Sequence, residues 1–233
     1  MLNFFILILI YTCIYAFMSL GQNLITGYTG MLSLCAAGFF AVGSYTTAIL
    51  TTKFAWSFWA TLPVAAILAA LMGVLIGLPT LRLKGDYLAI ATLGFAEIVR
   101  NIINNWDALT NGPMGIQRIP MITIFGLKIS PYQKYGFLLM EIILLAVCWF
   151  LFERLASSRM GRALEAIRED EIAANSMGIN VTKYKVVSFA LGAAVTGIDG
   201  CLQAEFTLSV SPGSYVFMAS IMILRTVVLG GMG

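Results

Sequence analysis

Histidine is missing altogether from this 233-residue chain. That absence removes imidazole-based metal sites and every His-dependent catalytic dyad or triad. Charge is nearly as scarce: fourteen Lys and Arg and eleven Asp and Glu make up 11% of the residues, where a soluble domain carries about a quarter. From Met1 to Thr52 there is not one charged side chain. Such material cannot surround a core with a polar surface, so a water-soluble fold is excluded. The four cysteines, Cys13, Cys35, Cys148 and Cys201, sit in apolar runs without Cys-x-x-Cys spacing and read as small buried thiols. No Gly-x-x-x-x-Gly-Lys-[Ser/Thr] phosphate loop, Gly-x-Ser-x-Gly elbow or dinucleotide fingerprint occurs. The net charge of +3 is too small and too scattered for nucleic acid.

What is present is apolar: 60% of the residues, in long runs. A membrane-crossing helix needs about 20 mainly apolar residues. By that measure seven segments stand out, near 4–25, 31–52, 59–81, 87–103, 134–152, 186–208 and 215–233. No Lys or Arg precedes the first, so it reads as a span and not as a cleaved signal. The runs lack the period-two alternation of a membrane barrel, and backbone groups in lipid are satisfied within helices. The expected fold is therefore all-α, a polytopic transmembrane bundle with some broken or re-entrant segments.

Residues 153–185 hold eleven of the charged side chains, among them Arg154, Arg159, Arg162, Arg168, Lys183 and Lys185. The positive-inside rule places this stretch in the cytoplasm, together with the Arg82-Leu83-Lys84 turn. The 104–133 stretch then falls outside, rich in turn formers such as Asn111-Gly112-Pro113. Within 153–185, Ser158 suits a helix N-cap, Arg159 to Met177 a helix, Gly178 its left-handed end, and Asn180 the next cap. Ala163, Ala166/Ile167, Ala173/Ala174 and Met177 recur at helical spacing. Glu165–Arg168 and Arg168–Glu171 stand three apart with opposite signs. Two readings stay open: a solvated interhelical loop, or a docking surface whose small residues admit a close partner.

Charges inside apolar runs are costly, roughly 2.5–3.5 kcal/mol each at mid-bilayer. Glu97 and Arg100 read as an i,i+3 pair, and Glu141 as snorkelling or facing the bundle. Asp199 and Arg225 are expected either to pair between the last two segments or to line a wet path. Gly27-Tyr28-Thr29-Gly30 and Gly230-Gly231-Met232-Gly233 interrupt apolar runs. Such breaks can present backbone to a solute, or can serve packing and turns alone. Asn23, Gly27, Tyr28, Thr29, Gly30 and Ser33, with Asp199 and Arg225, are the residues expected along a translocation path.

Four blocks carry a family resemblance. They are Asn23-Leu-Ile-Thr-Gly-Tyr-Thr-Gly-Met-Leu-Ser-Leu34 continuing through Phe39 to Thr46, the stretch Leu78 to Arg100, Asn111-Gly-Pro-Met-Gly-Ile116, and Gly161 to Asn180. In this order they resemble the LivM-type permeases of ABC importers for branched-chain amino acids. The resemblance implies a single permease domain over 1–233, incomplete at its carboxyl end, with an external loop at 104–133 and a cytoplasmic coupling segment at 153–185. It implies a multi-pass protein of the bacterial cytoplasmic (inner) membrane that is not an enzyme and holds no cofactor. ATP would be used by partner subunits. Those partners would be a second, LivH-like permease, two LivG/LivF-like ATP-binding subunits and an extracytoplasmic amino-acid-binding protein. Coupling to the ATPases would fall to Gly161, Glu165, Ala166, Arg168, Glu169, Asp170, Ala173, Ala174 and Gly178. A permease for urea or short-chain amides fits the same blocks. An ion-coupled secondary transporter using Asp199 and Glu205 is the alternative of a different class.

Overall fold

The computed structural model describes all residues except Met1, Leu81, Arg82, Lys84, 125–126, 130–133 and 232–233. Arg82 and Lys84, used above to orient the chain, therefore lie outside the described residues. The chain is a helical bundle of α1 (Leu2–Thr26), α2 (Ala36–Lys53), α3 (Phe58–Thr80), α4 (Asp86–Asn105), the short α5 (Asp107–Thr110), α6 (Lys134–Ala156), α7 (Arg159–Glu169), α8 (Glu171–Ser176), α9 (Val181–Thr207) and α10 (Phe217–Gly230). Four short strands pair in two ribbons, β1 (Ile116–Gln117) with β4 (Ser209–Val210) and β2 (Ile122–Ile124) with β3 (Leu127–Ile129), all antiparallel. Five helical stretches among the described residues are long and apolar enough to cross a membrane: Phe4–Thr26, Phe58–Pro79, Tyr135–Ala156, Val181–Thr207 and Pro212–Gly230. The second and fourth segments of the sequence reading, now α2 and α4, fall short of that measure. The protein is a multi-pass, predominantly helical membrane bundle.

Helix α9 is its axis, packed against α1, α2 and α3. Lipid offers no hydrophobic drive between helices, so close contact depends on small side chains. Gly43 of α2 crosses directly over Gly197 of α9, where a Cβ would lie 2.6 Å from the Gly197 carbonyl carbon. Gly21 and Gly192 make the reciprocal crossing of α1 and α9, each facing the other's carbonyl at under 3 Å from an added Cβ. Large side chains fill the space beside these crossings, with Ile10, Phe17, Phe39, Phe189 and Leu202 almost fully buried.

The second and last segments begin later than their apolar runs. The chain leaves α1 at Thr26 and stays non-helical until Ala36. Helix α10 has 14 residues, about 21 Å at 1.5 Å per residue, against a hydrocarbon core of about 30 Å. The starts of these two helices meet: the Ala37 N–H donates to Ser220 Oγ at 3.1 Å.

The stretch after α4 is tied to the bundle by hydrogen bonds to backbone carbonyls. Ile119 N–H donates to Leu208 O at 3.2 Å beside the β1–β4 ribbon, and Lys53 Nζ donates to Ala108 O at 2.7 Å. The Asn111–Gly115 motif makes the turn that feeds β1. Asn111 and Gly115 adopt φ of 63° and 66°, and Gly115 lies so close to the Val210 carbonyl that a Cβ would overlap it.

Candidate functional site

Two helix caps organise the polar segment. Ser158 Oγ accepts from Met160 N–H at 3.1 Å and opens α7. Asp170 closes α7 and at once opens α8, its Oδ1 accepting from Ile172 N–H at 2.8 Å and Ala173 N–H at 3.0 Å. The single helix expected over Arg159–Met177 is therefore two. Asp170 is extended at φ −152°, ψ 109°, and its carboxylate accepts backbone donors that a continuous helix would bond along its axis. Gly178 takes the left-handed conformation, φ 85°, and Asn180 Oδ1 caps α9 by accepting from Lys183 N–H at 3.0 Å. Glu171 pairs with Lys185 at 2.9 Å, which pins α8 to the first turns of α9 through a lysine that is 5% exposed.

This folding sorts the residues expected at the coupling surface. Gly161 and Ala174 are buried, Gly161 against the Ala156 carbonyl and Ala174 in a small cluster with Ile167 and Val181. Ala163 and Ile167 also face inward, and Ala166 is half-buried. Glu165, Arg168, Glu169, Asp170, Ala173 and Gly178 are exposed. The outward apolar residues are Ile172, at 73% exposure, and Met177, at 84%. Ala163, Ile167 and Ala174 of the stripe read from the sequence thus pack α7 and α8 onto the bundle, whereas its Ala173 and Met177 face out, joined by Ile172 from outside the stripe.

One residue of this segment reaches the break after α1 directly. Arg168 Nη1 donates to the Gly27 carbonyl at 2.8 Å, and its Cγ lies where a Cβ on Gly30 would approach to 3.2 Å. Gly30 holds φ 69°, a conformation that costs a residue with a Cβ about 1 kcal/mol or more. Nearby, the Tyr28 ring meets the Phe152 ring of α6 edge-on, with centroids 5.2 Å apart. The 27–35 break is held from three further directions. Gln22 Nε2 donates to Ser33 O at 2.7 Å, Leu34 N–H donates to Thr92 Oγ1 at 2.9 Å, and the Ala37 bond to Ser220 fixes its far end. Thr29 and Ser33 are buried within it, Thr29 donating to Ile25 O. Sequence reasoning missed Gln22, Thr92 and Ser220. The available signal was their polarity, since a hydroxyl or amide in an apolar helix must find a partner.

A cavity of about 490 Å³ opens beside the break, between α1, α6 and α10. Asn23, Tyr28, Phe152, Glu153, Thr226 and Gly230 are in its wall. It brings together the two glycine-interrupted motifs, which lie some 200 positions apart in the chain.

The intramembrane charges are arranged otherwise than expected. Glu97 and Arg100 do pair, at 2.8 Å. Asp199 and Arg225 do not. Asp199 is fully buried and neither carboxylate oxygen has a hydrogen-bond partner, whereas Arg225 is exposed on α10. The reason is rotational: Ser220, Ile223 and Val227 turn toward the bundle, and Arg225 falls on the opposite face of that helix. Glu141 faces the bundle at 0% exposure and Glu205 is 3% exposed, both with carboxylates unpartnered. All four cysteines are free, and no group of His, Cys, Asp or Glu among the described residues could hold a metal ion.

Comparison with known proteins agrees with this architecture. A family model described as the permease component of a branched-chain amino acid transport system matches residues 4–233. The high-affinity branched-chain amino acid transport system permease protein LivM of Escherichia coli K12 is 42% identical over 243 aligned positions, covering 95% of this chain and 57% of LivM. LivM of Salmonella typhimurium gives the same figures. The corresponding permease protein LivH of Escherichia coli K12 is 25% identical, covering 94% of this chain and 75% of LivH. No solved structure matches. The chain spans a little over half the length of the LivM proteins that it resembles. With a family match over nearly its whole length, this chain belongs to the permease components of branched-chain amino acid transport systems.

Proposed function

We propose that the chain is a membrane-spanning subunit of an ATP-driven importer in the bacterial cytoplasmic membrane. It moves leucine, isoleucine and valine by alternating access. The ATP is bound and hydrolysed by two partner subunits that dock on α7 and α8, a second related permease completes the pathway, and an external binding protein delivers the solute. The chain itself is a conduit, not an enzyme, and binds no cofactor.

The observation that carries this reading is the Arg168–Gly27 hydrogen bond. It joins the one polar segment of the protein to the break between α1 and α2, so a push on α7 acts on the break without an intervening linker. Ile172 and Met177, apolar and exposed beside Glu169 and Asp170, are the surface such a push would meet. A hydrogen bond to a charged group is worth about 1.5–3 kcal/mol, enough to shift a two-state equilibrium by tenfold or more.

The test is uptake into proteoliposomes containing the assembled importer, the binding protein and internal or external ATP. Leucine accumulates only with ATP on the ATPase side, and urea does not accumulate. Uptake driven by a proton gradient without ATP would refute the reading. Arg168→Ala is expected to keep the ATPases bound while leucine uptake falls at least tenfold, whereas Met177→Asp loses the ATPases themselves on co-purification.

A further inference from the structure

A second cavity, of about 480 Å³, lies at the opposite end of the bundle. Its size is that of a small-molecule site, which runs from about 300 to 1,000 Å³. Thr51, Trp56, Ser57, Phe58, Met121 and Glu205 wall it, drawn from the end of α2, the α2–α3 connection, the external loop and the end of α9. Nothing in the coupling mechanism uses it.

Its chemistry has two poles. Glu205 is 3% exposed and neither carboxylate oxygen has a hydrogen-bond partner. A buried carboxylate left unpaired is expensive, and a cationic donor is the group that relieves it. The other pole is the start of α3, a helix of 23 residues. Ala60 and Thr61 N–H both bond the Ser57 carbonyl, at 3.0 and 3.2 Å. The N–H groups of Phe58 and Trp59 have no backbone acceptor among the described residues. Free N–H groups and the positive end of the helix dipole favour an anion there. Trp56, Phe58 and Met121 supply apolar wall, and Ala55, held at φ 53°, sets the connection that carries Trp56.

We infer that this outer cavity receives the head group of an α-amino acid with an apolar side chain, the ammonium on Glu205 and the carboxylate at the start of α3. The inference rests on the amino-acid importer reading above and adds to it a site within the membrane subunit, separate from the external binding protein.

The experiment measures radiolabelled leucine bound to the assembled importer in detergent, without the binding protein. Two competitors each lack one pole: 3-methylbutylamine keeps the ammonium and 4-methylpentanoate keeps the carboxylate. Both displace leucine from the wild type. In Glu205→Gln the amine weakens by about tenfold or more, while 4-methylpentanoate is unchanged. Equal weakening of both competitors, or of neither, overturns the site. So does displacement of leucine by sodium or potassium chloride as effectively as by the amine, which would mark an inorganic cation site. Ser57→Trp, at the exposed mouth, provides a second variant that leaves the core alone; it is expected to block leucine binding, and unblocked binding counts against the site. Failure of the broader reading looks different: the wild-type importer then takes up no leucine at all. A wild type that transports leucine but shows no saturable binding, or no dependence on Glu205, removes only the site.

Discussion

Helices α9 and α6 are both long and apolar enough to cross a bilayer, yet 56% of an 18-residue apolar stretch of α9 is buried in the bundle and only 17% of the corresponding stretch of α6. Hydropathy does not explain the difference, because α6 is the more apolar of the two, at a mean hydropathy of 2.3 against 1.4. The small residues do. Gly192, Ala193, Gly197 and Gly200 let α9 approach three neighbours at backbone distance. Along α6, Leu139, Ile142, Val147, Phe150 and Leu151 stand outward. In a membrane the centre of a bundle is therefore marked by side-chain size more than by greasiness.

The most severe way to break this contrast is to fill the crossing. Gly43→Leu or Gly197→Leu should cost about 3 kcal/mol or more through overpacking, seen as loss of monodisperse protein in detergent and of thermal stability. Equal tolerance of leucine at Gly43 and at exposed α6 positions would remove the distinction. Next comes Glu141, the polar residue that α6 turns inward. Its carboxyl is unpartnered, so Glu141→Leu is expected to stabilise the detergent-solubilised protein by about 1–3 kcal/mol. Destabilisation on that scale would show that the carboxyl is engaged by something, and would make α6 less peripheral than its burial suggests. The smallest effect belongs to the outward face: Phe150→Leu should move stability by no more than about 0.5 kcal/mol. Loss of co-purification with a second permease subunit from that same change would identify this face of α6 as an interface between subunits.

Much of the architecture was legible in the order of residues. Apolar runs gave the helices, Gly27 and Gly30 the interruption after α1, Ser158 and Asn180 the caps, and Gly178 the left-handed end. These are local effects of backbone and neighbour, and a one-dimensional pattern contains them. The four motif blocks were enough to point to the family. Rotational phase was not legible. Whether Arg225 meets Asp199 depends on which face of α10 turns inward, and that is decided by Ser220 reaching a backbone N–H 183 positions away. The same limit hid the Arg168–Gly27 bond, the Glu171–Lys185 pair and the outward placement of Ile172. Asp170 was misread for a subtler reason: in the sequence it reads as a charge interrupting the stripe of one continuous helix, and only its capping geometry shows that the helix stops there.

That residue has a mechanical consequence. Asp170 ends one helix and starts the next with no spacer between them, so the elbow they form has no slack. A tilt imposed on the short arm is passed to the long arm in the same instant, as in a bell-crank, and Arg168 sits two residues from the pivot. Inserting even one glycine after Asp170 is expected to leave both arms folded and to loosen the joint between them, and with it the transmission proposed above.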